Sequence, residues 1–167
     1  MPWKSNHKRL SAWKIITIMT AALVVGLWLP GHISVTITPS LGHRVFFLTE
    51  PESLDFQEGE YLLFHKQLVY APLWGNQAQT DKLLKIVGCG AGHQLTVHNG
   101  EYYCDDNYLG RALVQDSKGK PLPQFIFNGR IPVGSLFMVG NHPRSYDSKY
   151  FGFIHADSVL KKAYPIW

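Results

Sequence analysis

The 167-residue chain is poor in charge, with only 17% charged residues. It has just two cysteines, and no acidic residue precedes Glu50. A charged fraction below the roughly 25% usual in soluble domains, beside 46% hydrophobic residues, excludes intrinsic disorder. Two cysteines are too few for a disulfide-dense scaffold, and their spacing fits no zinc pattern. The eight histidines form no H-x-x-H or H-E-x-x-H pair, so the sequence asks for no metal. It also lacks heptads, internal repeats and low-complexity tracts, which removes coiled-coil and solenoid architectures. The net charge of +4 raises the question of a nucleic-acid partner, but Lys4, Lys8, Arg9 and Lys14 are four of the 16 bases, leaving 12 to face 12 acids. The body is neutral, with no basic stripe to follow a phosphate backbone.

What stands out first is an apolar run, WKIITIMTAALVVGLWL (13–29), with Lys14 its only charge, the basic cluster upstream and Pro30-Gly31 downstream. A bilayer span needs about 20 apolar residues at about 1.5 Å rise each. Residues 12–33 supply that if Lys14 snorkels and Trp13 and Trp28 sit at the two interfaces. Basic flanks stay inside. The expected organisation is therefore a cytoplasmic tail (1–11), a single transmembrane anchor (12–33) and an exported domain (34–167), periplasmic if the membrane is a bacterial inner membrane. A cleavable leader is the competing reading, but its apolar core is usually shorter, and no Ala-x-Ala site follows the run. Export would place Cys89 and Cys104 in an oxidising compartment, where an even count favours a bridge over two buried thiols.

Beyond the anchor the patterns are short, β-branched or aromatic, and bounded by Gly, Pro or Asn. They predict strands at 32–38, 44–49, 60–66, 82–88, 93–99, 101–104, 123–131 and 135–140, hence a mainly β, antiparallel domain. Asn99-Gly100 between alternating residues reads as a type I′ hairpin turn. Residues 68–80 and 113–124 read as long loops. Ile131, Val133, Phe137 and Phe151, with Trp74, are expected in the core.

Three points carry candidate chemistry. Thr38-Pro39-Ser40 follows the membrane exit, where Ser40 Oγ could attack a carbonyl while the Thr38 hydroxyl and Ser40 amide hold an oxyanion; a solvated turn is the plainer reading. Lys85 lies in the apolar strand LLKIVG. Buried there, its amine could be neutral near physiological pH, as a general base for a serine must be; alternation with Leu84 and Ile86 also allows a solvent-facing lysine. The loop after the strand 135–140 is dense in polar residues, with Ser145, Asp147 and Lys149 alternating. There a hydroxyl could address the lysine while the carboxylate pairs with Lys149 or a nearby arginine.

In this order, T-x-S at Thr38 and Ser40, GEYLLF (59–64), Lys85 with Gly92 seven residues on, and IPVGSLFMVG…SYDSKYFGF (131–153) resemble the boxes of the type I signal peptidases. The likeness is greatest to the TraF-like peptidases that process conjugative pilin precursors, and it covers about residues 12–154. It implies a signal-peptidase-like β domain behind one N-terminal membrane helix. Ser40 would be the nucleophile, Lys85 the general base, Thr38 and Ser40 the oxyanion hole and Ser145 the lysine-orienting hydroxyl. Asp147, Lys149 and Arg144 would brace the loop, and no cofactor is needed. The implied partner is an exported precursor protein at the inner membrane, a pilin-like or signal-peptide-bearing chain cut after small residues.

Several positions depart from the family pattern. His93 stands where Asp is usual, Asn141-His142 replaces Asp-Asn, Gly42 stands near a common Pro, the last loop is one residue shorter, and Lys149 replaces Arg. A lysine lacks the bidentate fork of arginine, so a looser Asp147 pair with help from Arg144 is expected. His142, in the same loop, is a lesser candidate base. These departures motivate a second reading, a non-catalytic envelope binding or assembly protein on the same scaffold. Self-cleaving repressors share the chemistry but are cytosolic and carry a DNA-binding domain.

Overall fold

A computed structural model describes residues 11–36, 40–66 and 82–167. Thr38, Trp74, the basic residues Lys4, Lys8 and Arg9, and the expected 68–80 loop lie outside these. The chain divides into two compact units at Ile33/Ser34. In the first, helix α1 (Ala12–Trp28) runs into a 3-10 turn (Leu29–Gly31). The stretch Ala12–Gly31, 20 residues, is long and apolar enough to cross a membrane. Its two helical threonines satisfy their own hydroxyls, Thr17 donating to the Trp13 carbonyl and Thr20 to that of Ile16, each at 2.9 Å. That is how a hydroxyl is tolerated on an apolar helix.

The second unit is mainly antiparallel β. The strands are β1 (Ile33–Val35), β2 (Val45–Thr49), β3 (Tyr61–His65), β4 (Lys82–Cys89), β5 (Gln94–His98), β6 (Glu101–Cys104), β7 (Asn107–Arg111), β8 (Gly129–Arg130), β9 (Ser135–Val139), β10 (Ile154–His155) and β11 (Val159–Pro165). One sheet has the order β1-β2-β11-β3-β4-β9-β10 and the other β7-β6-β5-β8. A four-residue helix, α2 (Ser148–Phe151), lies between β9 and β10.

All five residues of β9 are buried. Alternation splits them, Leu136 and Met138 joining Phe64, Val87 and Ile154, while Phe137 and Val139 join Leu95, Tyr102 and Phe153. A third cluster holds Phe46, Leu48, Leu84 and Ala163. Since strand side chains alternate, β4 also faces two ways: Leu83 and Val87 toward the first cluster, Leu84 toward the third.

The expected Asn99-Gly100 turn is present, with φ of 52° and 78°. Three expectations need correction. Of 123–131 only Gly129–Arg130 forms a strand. Phe125 and Phe127 instead wedge edge-on against Phe153, each 5.0 Å between ring centres, and Asn128 accepts the Val97 N–H at 2.7 Å. Ile131, Phe137 and Phe151 are core, but Val133 is 96% exposed, in the loop before β9. Strands β7 and β11 escape the pattern: β7 carries Asn107 and Gly110, and β11 is broken by Lys161 and Lys162, which pair with Glu50 and Glu60. Cys89 and Cys104 are joined, their Cα atoms 5.4 Å apart, which ties β4 to β6. The bridge closes a loop of sequence separation 15, a length at which cross-linking contributes about 3 kcal/mol. A Cys89→Ser/Cys104→Ser chain is expected to lose about that much unfolding free energy in urea.

Candidate active site

Strand β4 sets the position of the lysine. Lys85 pairs with Leu62 across β3 and shares its face with Leu83 and Val87, so it is 5% exposed rather than solvent-facing. The Lys85 Nζ lies 3.0 Å from Ser145 Oγ. Burial pushes the amine below its ordinary pKa; Asp147 pulls it back up and Lys149 presses it further down. A buried amine without a carboxylate of its own favours the neutral form.

The loop after β9 brings the other groups. Asp147 is fully buried and caps α2, accepting the Lys149 N–H at 3.2 Å. Its Oδ2 accepts the Gly140 N–H at 3.0 Å and the Lys149 ammonium at 2.8 Å. Lys149 is itself 3% exposed, so the pair is tight and dry, not loose. Gly110 packs beside it and has φ of +112°, a left-handed conformation that favours glycine. The share expected of Arg144 is not seen. It is exposed, and its backbone N–H donates to His142 Nδ1 at 3.1 Å. The His142 backbone N–H donates to the Ser40 carbonyl at 3.4 Å.

Sequence reasoning left three contributors aside. Ser148 Oγ accepts the Met138 N–H at 2.8 Å, fastening α2 to β9. The Tyr102 hydroxyl lies 2.8 Å from the Phe125 carbonyl and 3.0 Å from that of Lys149, pinning the loop to the smaller sheet; burial raises its pKa. Gly140 is the third. A Cβ there would overlap Ser145 Oγ and come within 2.7 Å of the Ser40 carbonyl oxygen. The Ser40 carbonyl and the Ser145 side chain, itself bonded to Lys85, thus flank a position that excludes any side chain. The tight packing of glycine between two serines has no signal in composition or periodicity. The nearest signal is its place as the last residue of the stretch IPVGSLFMVG.

A possible metal group is Glu58, His93 and Cys104. The Cys104 sulfur is spent in the disulfide, and His93 instead meets Asp105 at 2.8 Å, a contact that raises the imidazole pKa and lowers that of the carboxyl. The arrangement fits an ion pair without a metal. Gly140→Ala is expected to lower the unfolding free energy by about 1–3 kcal/mol, the usual penalty of overpacking, as read from the denaturant midpoint.

Comparison with known proteins adds a family. The family model described as signal peptidase, peptidase S26, matches residues 8–167. Among solved structures, a signal peptidase I from Enterococcus faecalis V583 is 21% identical, with a TM-score of 0.41, covering 65% of this chain and 96% of that one. No curated protein matches the chain.

Proposed function

The chain belongs to the signal peptidase family, peptidase S26, and we propose that within it Ser40 is the nucleophile, Lys85 the general base and Ser145 the hydroxyl that orients the lysine. Members of this family are serine peptidases that process exported precursors, and the N-terminal apolar helix is the membrane anchor. The observation that carries the assignment is the Lys85 amine, enclosed by apolar neighbours and bonded to Ser145 at 3.0 Å, beside the Gly140 contact with Ser40.

The steps follow from that arrangement. Neutral Lys85 takes the Ser40 proton, Oγ attacks the scissile carbonyl, and the amine leaves with the proton returned by the lysine. Water or another nucleophile then resolves the acyl-enzyme. The Ser40 amide and the Thr38 hydroxyl stabilise the oxyanion, a role whose loss typically costs about 3 kcal/mol. Asp147 and Lys149 neutralise one another beneath the loop, so neither imposes a full charge on the base.

The finer reading is a TraF-like enzyme with a pilin precursor of a conjugative apparatus as substrate. It would be single-pass, with residues 1–11 cytoplasmic, 12–33 in the inner membrane and 34–167 periplasmic. The TxS, lysine and SYDSKYFG stretches support it.

Ser40→Ala or Lys85→Ala is expected to abolish precursor cleavage while the circular dichroism spectrum is retained. A serine-directed acylating probe should label Ser40 in the unaltered chain; absence of an adduct would favour a binding module. The lowered Lys85 pKa gives a pH signature. As pH climbs through that value the amine loses its proton and kcat/KM rises to a plateau. Lys149→Met leaves the Asp147 charge unbalanced and should move this limb to higher pH. For stability the sign is the same: between the folded value and the ordinary 10.5, the unfolded chain binds more protons, so stability increases with pH. Lys85→Met should therefore unfold no earlier than the unaltered chain at neutral pH and lose that slope.

A further inference from the structure

A cleft of about 450 Å³ runs between β7 and the loop after β9. It adjoins the candidate active site directly. Gly140 and His142 form part of its wall, and both touch Ser40: a Cβ on the first would meet the Ser40 carbonyl, and the N–H of the second donates to it. Tyr108, Leu113 and Pro143 give it an apolar lining, all three exposed. Its charged members are Arg111 and the buried Lys149, and among the described residues lining it there is no carboxylate. Lys149 is already neutralised by Asp147, which leaves Arg111 as the exposed charge. One Arg111 N–H donates to the Asn99 carbonyl at 3.2 Å, and a guanidinium carries five donors.

The position of Ser145 and Lys85 decides which part of a substrate reaches this cleft. On the catalytic reading above, on which this inference rests, the lysine must return its proton to the departing amine. The flank of the site formed by the Ser145 loop is thus the flank on which that amine leaves. We propose that the cleft between β7 and the Gly140–Pro143 loop binds the segment of the precursor that follows the scissile bond, and that Arg111 selects an acidic side chain in that segment.

The strand β7 supports such a use. Tyr103 pairs with Tyr108 and Tyr102 with Gly110, so Leu109 is an extra residue in β7. A bulge re-aims the side chains around it and interrupts the ladder on an edge strand, so recognition here runs through side chains rather than added strand pairing. An exposed guanidinium at the rim of an apolar cleft suits a carboxylate held beside a nonpolar contact.

The test uses the full chain in detergent and fluorescent peptides identical up to the scissile bond, with Asp or Lys at each of the first four positions beyond it. Binding is read by anisotropy on Ser40→Ala, with and without Arg111→Glu, and cleavage on the chains with Ser40 intact. The expected result is at least tenfold tighter binding of Asp over Lys at one position, reversed by Arg111→Glu and kept by Arg111→Lys, with kcat/KM following the same order. Equal binding of all peptides, or an equal loss on Asp and Lys peptides in Arg111→Glu, overturns the proposal. Cleavage by the Ser40→Ala chain would instead overturn the catalytic reading, and the anisotropy ratios decide the cleft proposal in either case.

Discussion

An aliphatic amine held in an apolar strand is an expensive thing to build, and much of the β unit is arranged around keeping one. Lys85 has Leu83 and Val87 on its own face and Leu84 on the other, so neither turn of the pleat offers it water. Burial lowers the pKa of such a group, and its amine meets one hydroxyl, that of Ser145. The hydroxyl in turn must be fixed, which explains the density of bonds in the loop behind it. Asp147 ties down Gly140 and the start of α2, Ser148 fastens α2 to β9, and Tyr102 reaches across from the smaller sheet.

The exchange of arginine for lysine at position 149 shows how burial can replace geometry. A lysine offers no fork to a carboxylate, yet Lys149 and Asp147 meet at 2.8 Å, both removed from solvent. The same pair bears on Lys85 by two opposed influences, Asp147 raising and Lys149 lowering its pKa. Pairing with Lys149 therefore offsets the upward pull that the Asp147 charge alone would exert.

How much of this was legible beforehand depended on whether a residue acts through its type or through its neighbours. The hairpin at Asn99-Gly100 and the apolar helix were plain from local chemistry, since backbone preference and hydropathy act over a few residues. Lys85 and Ser145 could be nominated, but nothing local told a buried lysine from one on a wet face; that depended on β3 and β9 closing over both sides of β4. Gly140 was invisible for the same reason. The aromatic run QFIFN imitated a strand because packing against Phe153 and strand pairing ask for the same side chains. Strand β11 hid behind two lysines whose partners, Glu50 and Glu60, are remote in sequence.

Because β9 hands alternate side chains to two separate clusters, it is a party wall between them. Neighbouring residues on one short strand therefore answer to different surroundings, and a change at Phe137 is felt toward the disulfide while one at Met138 is felt toward the lysine's face. The two sheets share this masonry: the cluster that takes Phe137 and Val139 from the larger sheet also takes Leu95 and Tyr102 from the smaller one.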